Sequence, residues 1–211
     1  MIEHDARWLP GWTMDESDLT GWARFRKHDG ELAIYTANRR PLERLLGVDL
    51  IYLNERRGAL VMLQYKMLER HHDMGEGWQV RIDRQFEQEL DRMRQFDRDL
   101  DSQGPYRLHP GAFFVKMMKR HSAASAAGIV ISLGHLNHML DSGDMRGSRG
   151  SIRIDHTELD GHYLRTEAFV ELVRSGYVGT RGATTLHLQT MIEAALNEGR
   201  AVVAAIHQSF R

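Results

Sequence analysis

Two apolar stretches separated by a short polar turn, VDLIYL-NERRG-ALVMLQY, follow Gly47 in the chain. Short apolar runs rich in branched and aromatic residues are typical of buried strands, which lose their alternation when both faces are covered. The pattern predicts strands over about 48–53 and 59–67, joined as a hairpin by the turn at 54–58. The second strand is apolar on both faces, as expected of a strand inside a sheet.

A helical period is clearest over about 80–100, where Phe86, Leu90 and Met93 keep one apolar face. Gly176 follows a shorter helical pattern and fits the position where a glycine with positive φ ends a helix. The remaining predicted elements are helices at 15–28, 41–46, 135–140, 166–174 and 185–198, and strands at 31–36, 113–118, 128–133, 151–154 and 201–206.

Composition narrows the class of protein. With 211 residues, 42% of them hydrophobic and 27% charged, the chain resembles ordinary soluble globular domains. The formal net charge of −1 argues against a surface coated in basic residues, so any nucleic-acid contact must be a local patch. The lack of cysteine excludes disulfides, thiolate catalysis and cysteine-based zinc sites. No run approaches the roughly 18 apolar residues that span a bilayer. We expect a cytoplasmic protein with no membrane partner.

Three polar or charged residues lie within the predicted hairpin. Strand alternation places Gln64 and Lys66 on one side of the second strand and Tyr65 on the other. Asp49 and Gln64 are equidistant from the centre of the turn, so we expect them to be cross-strand neighbours. An unpaired lysine or aspartate in such a place would cost several kcal/mol. A metal ion bound by Asp49, with Lys66 beside a bound water, would offset that cost.

This arrangement resembles the PD-(D/E)xK nuclease superfamily, in which an aspartate on one strand precedes an acid-x-lysine pair on the next. It is most similar to the variant with glutamine in the acidic position, as in Mrr-type restriction endonucleases, where Gly-x-Asp precedes an apolar strand and Gln-x-Lys. A valine replaces the family's proline. The residues that carry the resemblance, which covers roughly 15–133, are Gly47-Val48-Asp49 and Gln64-Tyr65-Lys66.

The resemblance implies an α/β fold. Its core would be restriction-endonuclease-like, with the element order α-β-β-β-α-β and a mixed central sheet, over residues 1–133. Residues 134–211 would form an α+β C-terminal extension packed on the same domain. The implied activity is hydrolysis of phosphodiester bonds in DNA by an endonuclease that requires Mg²⁺ or Mn²⁺. RNA is not excluded as a substrate.

The same resemblance implies roles for individual residues. Mg²⁺ would be held by the Asp49 carboxylate, the Gln64 side chain and the Tyr65 carbonyl. Lys66 would orient the attacking water, or help to deprotonate it, and offset charge on the phosphorus. The family also has a glutamate on its first helix. Two residues are candidates for that position: Glu16 by its place in the chain, and Glu43 because it closely precedes Asp49.

Basic clusters near the motif suggest contacts with the phosphate backbone. Most surface arginines only keep a face of the protein solvated. It is the grouping of these arginines around the motif that favours nucleic-acid binding. The loop RGSRG could hold a phosphate, but it lacks the GxxxxGK[ST] pattern, and an ordinary mobile loop fits it equally well. The predicted nucleic-acid contacts are Arg39, Arg40, Arg44, Arg56, Arg57, Arg146 and Arg149, with Gln88 and Arg92, beside Gln85, on the long helix.

Alternative functions remain open at this stage. His135-x-x-His138 resembles half a zinc site, but no HExxH pattern accompanies it. A catalytically inactive nuclease-fold module, used for nucleic-acid binding or complex assembly, is the main alternative to an enzyme. Nucleases that cut both strands of a duplex are often paired by two-fold symmetry, so a homodimer is expected. Similarity to the Mrr type suggests restriction or anti-phage defence, with a partner protein in a larger defence complex.

Overall fold

The described part of the chain forms one mixed sheet of eleven strands with three α-helices. The computed structural model describes residues 13–17, 22–27, 30–35, 47–70, 77–99, 103–119, 128–143, 145, 152–182 and 204–208. The strands are β1 (Thr13–Ser17), β2 (Trp22–Lys27), β3 (Gly30–Tyr35), β4 (Leu50–Asn54), β5 (Ala59–Arg70), β6 (Trp78–Ile82), β7 (Phe113–Lys119), β8 (Ile129–Ser132), β9 (Ile152–Asp155), β10 (Leu164–Arg165) and β11 (Ala204–Gln208). The helices are α1 (Arg84–Asp99), α2 (Leu133–Ser142) and α3 (Thr166–Ser175), and Glu55–Arg57 forms a 3-10 turn.

The strands follow the order β1-β2-β3-β11-β4-β5-β7-β8-β10 across the sheet. β4 and β5 are antiparallel neighbours, whereas β5 and β7 are parallel, as are β4 and β11. β6 pairs with the end of β5 and with β9. The sheet is therefore mixed, as expected for the α/β class. Since β11 lies between β3 and β4, the segments 1–133 and 134–211 share the sheet. The division of the chain at residue 133 stays a prediction.

Hydrophobic clusters cover both faces of β5. Leu60 and Met62 belong to one cluster with Phe86 of α1. Val61 and Leu63 belong to a second cluster with Phe169 of α3. Because neighbouring residues of a strand point to opposite faces, β5 is buried from both sides, and its prediction as an interior strand is confirmed.

The hairpin register is also confirmed. β4 and β5 pair from Leu50 with Leu63 to Asn54 with Ala59, and the turn lies at the predicted place. The Asp49 N–H donates to the Leu63 carbonyl at 2.9 Å, so the pairing continues one residue beyond β4. This register makes Asp49 and Gln64 neighbours across the two strands.

The predicted helix over 15–28 is wrong, because β1 and β2 lie there and pair as antiparallel strands. In β2, Ala23 and Phe25 alternate with Arg24 and Arg26, a period of two that fits a strand. The spacing by three of Leu19, Trp22 and Phe25, which favours a helix, is the weaker signal. The predicted α-β-β-β-α-β order therefore fails at its first element, although β3, β4, β5, α1 and β7 follow in the predicted sequence.

The remaining predictions are mostly confirmed. Strands 113–118, 128–133 and 151–154 correspond to β7, β8 and β9, and helix 166–174 corresponds to α3. Gly176 ends α3 with φ +71°. Residues 204–206 of the last predicted strand lie in β11. Helices 41–46 and 185–198 lie outside the described residues. Among the described helices, none is long and apolar enough to cross a bilayer.

Helix α1 begins later than the predicted start near residue 80, and its capping residue explains the difference. β6 occupies Trp78–Ile82, and the helix begins only at Arg84. The Asp83 side chain accepts a hydrogen bond from the Phe86 N–H at 2.9 Å, and its carbonyl accepts one from the Glu87 N–H. Asp83 is therefore the N-cap that fixes where α1 begins.

We predict that Asp83→Ala lowers the free energy of unfolding by about 1 kcal/mol, because the Phe86 N–H loses its side-chain acceptor while the bond to the Asp83 carbonyl is kept. Urea denaturation followed by circular dichroism measures the change. Gln88→Ala, an exposed replacement on the same helix, is the control and should change stability little. Equal effects of the two replacements would contradict the capping role of Asp83.

Candidate active site

Strand β5 presents Gln64 and Lys66 to α1, because alternate residues of a strand share a face. Gln64 is buried, with 3% of its surface exposed, and the Lys66 side chain is 18% exposed. The Tyr65 side chain lies on the opposite face, within the cluster that contains Phe169. The predicted orientation of these side chains is confirmed.

A glutamate on α1 meets both of these side chains. The Glu89 carboxylate is fully buried and forms an ion pair with the Lys66 ammonium group through Oε2. The same oxygen accepts a hydrogen bond from Gln64 Nε2 at 3.3 Å. Its Oε1 accepts one from Gln85 Nε2 at 3.0 Å. One cation and two amide donors therefore offset the burial of the Glu89 charge, which would be very costly if unpaired.

The close approach of α1 to the start of β4 depends on a glycine. Gly47 has φ +68°, and a Cβ added there would lie 2.7 Å from the Glu89 carbonyl oxygen. A side chain at this position would push α1 away from the hairpin. The glycine of the Gly-x-Asp sequence thus has a packing role, because it lets α1 approach closely enough for Glu89 to contact Gln64 and Lys66.

Asp49 lies at the edge of the same cluster. Its Oδ2 accepts a hydrogen bond from the Tyr65 N–H at 2.8 Å. Its carboxylate therefore lies beside the peptide that joins Gln64 to Tyr65, and the residue is partly exposed. The structure joins Gln64 and Lys66 through Glu89 and places Asp49 opposite Gln64 in the hairpin, as the register predicts.

One polar atom of this cluster is buried without a partner. No described residue donates a hydrogen bond to Gln64 Oε1. The amide orientation follows from Glu89, since only the NH₂ group of Gln64 can donate to a carboxylate. A buried acceptor left unpaired costs about 1–3 kcal/mol. An amide oxygen is also a ligand that hard cations accept, so Gln64 Oε1 is a candidate ligand for a divalent ion.

The surroundings of Lys66 hold its ammonium group in place. Its Nζ lies 4.4 Å from the centroid of the Phe86 ring, within the range of a cation–π contact. Phe86 is itself buried in the core below α1. The lysine is therefore held between an aromatic face and a carboxylate while part of its side chain still reaches solvent.

The other predicted site residues are more dispersed. Glu16 lies on β1, four strands away from β4 in the sheet, so the structure does not bring it to the cluster. Arg56 and Arg57 lie in the hairpin turn, and the first residue of β5 after that turn is already about 23 Å along the strand from Lys66 at a rise near 3.3 Å per residue. Gln88 is exposed on α1. The predicted residues that lie outside the described ranges are Arg39, Arg40, Glu43, Arg44, Arg146 and Arg149.

Arg92 lies one turn beyond Glu89 on α1 and is half-buried. Its Nε is buried and has no acceptor among the described residues. Such a donor favours an anion, so the prediction that Arg92 contacts a phosphate fits its position on the helix that lines the cluster.

The sequence patterns do not single out Glu89, because the resemblance places the second carboxylate before Asp49, at Glu16 or Glu43. A signal was present in α1. Glu89 is three residues after Phe86 and four before Met93, so it lies within the apolar stripe of the helix. A charged residue at such a position must find a partner in the core, and Lys66 supplies it.

One histidine of α2 borders a cavity of about 320 Å³, which is lined by His135, Met139, Met145, Glu158, Leu159 and His162. Burial lowers the pKa of His135, and the neighbouring His162 and His138 lower it further. No group of three or more His, Asp or Glu side chains is placed to hold a metal ion in the described ranges. The half zinc site suggested by His135 and His138 is therefore not completed there.

No protein-family model, curated protein or solved structure matches this chain. The resemblance to PD-(D/E)xK nucleases thus depends on the residues themselves and on their positions in β4, β5 and α1.

We predict that Lys66→Met lowers the free energy of unfolding by about 3–5 kcal/mol at neutral pH, because the buried Glu89 carboxylate loses its cation. Adding Glu89→Leu should recover most of that loss, since an apolar pair of similar volume replaces the ion pair. Urea denaturation of both single variants and the double variant gives the coupling energy.

The matched control is the exposed ion pair of Arg174 and Glu171 on α3, whose nitrogen and oxygen lie 2.7 Å apart. Arg174→Met should cost less than about 1 kcal/mol, because solvent screens this pair. If Lys66→Met cost no more than the control, Glu89 would not depend on Lys66 in the folded protein.

Proposed function

We propose that this protein is a metal-dependent nuclease that hydrolyses phosphodiester bonds, with DNA as the substrate. The observation that carries the proposal is the unpaired, buried Gln64 Oε1. The amide nitrogen of the same side chain donates to Glu89 of the Lys66–Glu89 ion pair, and the next peptide N–H, of Tyr65, donates to the Asp49 carboxylate. A carboxylate, an orphaned amide oxygen and a lysine are the groups that this hydrolysis requires at one place.

In this proposal the Asp49 carboxylate, Gln64 Oε1 and the Tyr65 carbonyl hold Mg²⁺ or Mn²⁺. When bound, a divalent ion polarises the phosphate and acidifies water. The Asp49 carboxylate accepts a hydrogen bond from the Tyr65 N–H, so it is oriented before any ligand binds. Only one of these three ligands, the Asp49 carboxylate, is charged. The bound ion would therefore keep a net positive charge that attracts the phosphate.

Lys66 acts on the reacting groups in the proposed mechanism. Its ammonium group orients the attacking water and donates to a phosphate oxygen, which stabilises the charge that develops there. Glu89 acts through Lys66 and Gln64, because it fixes the ammonium group of one and the amide of the other. It is a positioning residue, comparable to the groups that orient ligands in other metal sites.

Other parts of the proposal depend on the resemblance alone. Similarity to Mrr-type enzymes suggests restriction or anti-phage defence, in the cytoplasm and with a partner protein in a defence complex. Cleavage of both strands of a duplex favours a homodimer.

The alternative is an inactive nuclease-fold module, and one observation favours it. The Lys66 ammonium group and both oxygens of Glu89 already have partners within the cluster. A network satisfied in this way can stabilise the fold and has no need of a substrate. Cleavage assays separate the two functions.

We predict that the protein cleaves DNA in Mg²⁺ or Mn²⁺ and stops when EDTA is added. Asp49→Asn keeps an acceptor for the Tyr65 N–H but loses the charge, so it should fold and cleave at least about 100-fold more slowly. Lys66→Ala should lose cleavage and keep metal binding, which calorimetry measures.

RNA of equal length is assayed in parallel. Glu167→Gln, an exposed change on α3, is the control. Tight DNA binding without cleavage in any divalent ion would favour the inactive module.

A second prediction concerns Gln64 itself. Gln64→Glu restores the acid that the family usually carries, but it places a second carboxylate against Glu89. Without metal we expect a loss of about 3 kcal/mol in stability. With Mg²⁺ the variant should be stabilised more than the parent and should keep cleavage, because the added charge binds the ion.

Thermal melts with and without Mg²⁺ measure this difference. Gln88→Glu adds a carboxylate on the exposed face of α1 and controls for non-specific binding of the ion. A melting temperature that falls equally with and without Mg²⁺ for Gln64→Glu would exclude Gln64 as a metal ligand.

A further inference from the structure

Three large apolar side chains are exposed among the described residues, and all three lie at one place. They are Tyr106, with 72% of its surface exposed, Leu108 with 62% and Tyr177 with 52%. The Leu108 N–H donates to the Tyr177 carbonyl at 2.8 Å, so the two segments run side by side. Apolar side chains grouped in this way mark an interaction surface more often than scattered ones do.

The backbone explains why these side chains point outward. His109 and Val178 form a parallel bridge and face inward, where Val178 is buried and His109 packs edge-on against Phe114. In extended segments the residues on either side of an inward residue point outward. Leu108 and Tyr177 therefore share the outer side of this pair of segments.

A buried arginine fixes the surface to the sheet. Arg107 is 4% exposed, and its Nε donates to the Thr180 carbonyl at 3.1 Å. Its Nη2 donates to the carbonyl of Arg57 in the hairpin turn. Tyr106 and Leu108 flank this arginine in sequence and are held by these bonds. The surface is therefore formed in advance, which reduces the entropy lost on binding.

Positive charge borders the two tyrosines. Arg56 and Arg57 are exposed in the hairpin turn. The Arg57 side chain lies against Gly176, next to Tyr177, because a Cβ on that glycine would be 2.6 Å from Arg57 Cβ. The segments 103–119 and 174–182, which carry the tyrosines, contain no aspartate or glutamate.

The arginines also influence one another. Burial lowers the pKa of Arg107 most, and the charges of Arg181 and Arg57 lower it further. Three guanidinium groups thus lie close enough to repel. Such a local excess of positive charge attracts a polyanion, even though the net charge of the whole chain is close to zero.

We infer that this tyrosine–arginine surface, formed by Tyr106, Leu108, Tyr177, Arg56 and Arg57, binds single-stranded nucleic acid. Bases stack on the two tyrosine rings, and phosphates contact the two arginines of the turn. Stacking needs the open face of a base, which a single strand offers and an intact duplex hides. A second copy of this chain is disfavoured, because a two-fold contact uses the same surface of both copies and would bring two positively charged surfaces together.

This surface is separate from the candidate active site. It lies at the hairpin end of β5, whereas Lys66 lies about 23 Å farther along that strand. The inference therefore stands independently of the proposed cleavage. The Asp49→Asn variant in EDTA serves as the parent protein for binding, because it leaves the surface intact and removes any cutting of the probe.

Fluorescence anisotropy with a labelled thymidine oligomer of about 20 nucleotides tests the inference. We expect single-stranded oligomer to bind more tightly than a duplex of equal length. Tyr106→Ala and Tyr177→Ala should each weaken binding by about 10-fold. Tyr106→Phe keeps the ring and should retain the affinity of the parent. Thermal melts of each variant confirm that these exposed replacements leave the fold intact.

The arginines are tested through the salt dependence of binding. Replacing Arg56 and Arg57 with alanine should flatten the plot of log Kd against log salt concentration, because fewer counterions are released. The Arg57 carbonyl that holds Arg107 is kept. Replacing Arg81 and Arg165, two exposed arginines elsewhere, should leave the slope unchanged.

Three results would overturn the inference. These are equal affinity for duplex and single strand, unchanged affinity of both tyrosine-to-alanine variants, and an unchanged salt slope after loss of Arg56 and Arg57. A parent that is dimeric in light scattering, and becomes monomeric in the tyrosine variants, would also overturn it by assigning the surface to self-association.

Discussion

The burial of the Glu89 carboxylate constrains most of this structure. A fully buried charge is tolerated only if nearby groups compensate for it, and each compensating group comes from a defined element. Lys66 and Gln64 come from β5, and Gln85 comes from the preceding turn of α1. The helix can dock in only one rotation that keeps these contacts. Gly47 completes the arrangement, since any larger residue would separate α1 from the hairpin.

The same constraint explains why the Asp49–Gln64 register matters. A shift of β5 by one residue would turn Gln64 and Lys66 to the face occupied by Phe169 and leave Glu89 against apolar side chains. Hydrophobic burial on both faces of β5 favours this register. The pairing of the Glu89 carboxylate with Lys66 and Gln64 favours the same one. Agreement between packing and electrostatics is what gives a sequence a single well-defined structure.

This reasoning also shows how far the sequence predicts the structure. The hairpin, its register and the facing of Gln64 and Lys66 follow from short-range patterns, because strand alternation and a five-residue turn leave few choices. The helix predicted over 15–28 is wrong because its residues fit two periods. The choice of strand depends on pairing of β2 with β3, which a local pattern does not contain. Glu89 depends on where α1 docks, and so its partner could be predicted only after the sheet was known.

The exposed tyrosines show the same limit at the other end of β5. Tyr106 and Tyr177 lie in irregular segments, where no period distinguishes an inward from an outward residue. Their orientation depends on the bonds of Arg107 to carbonyl groups from two other parts of the chain. One buried cation thus arranges the hairpin end, and one buried anion fixes Gln64 and Lys66 farther along β5. The residues between the hairpin and Gln64 are apolar and contribute burial. The two polar groups are therefore held at separate positions by one strand.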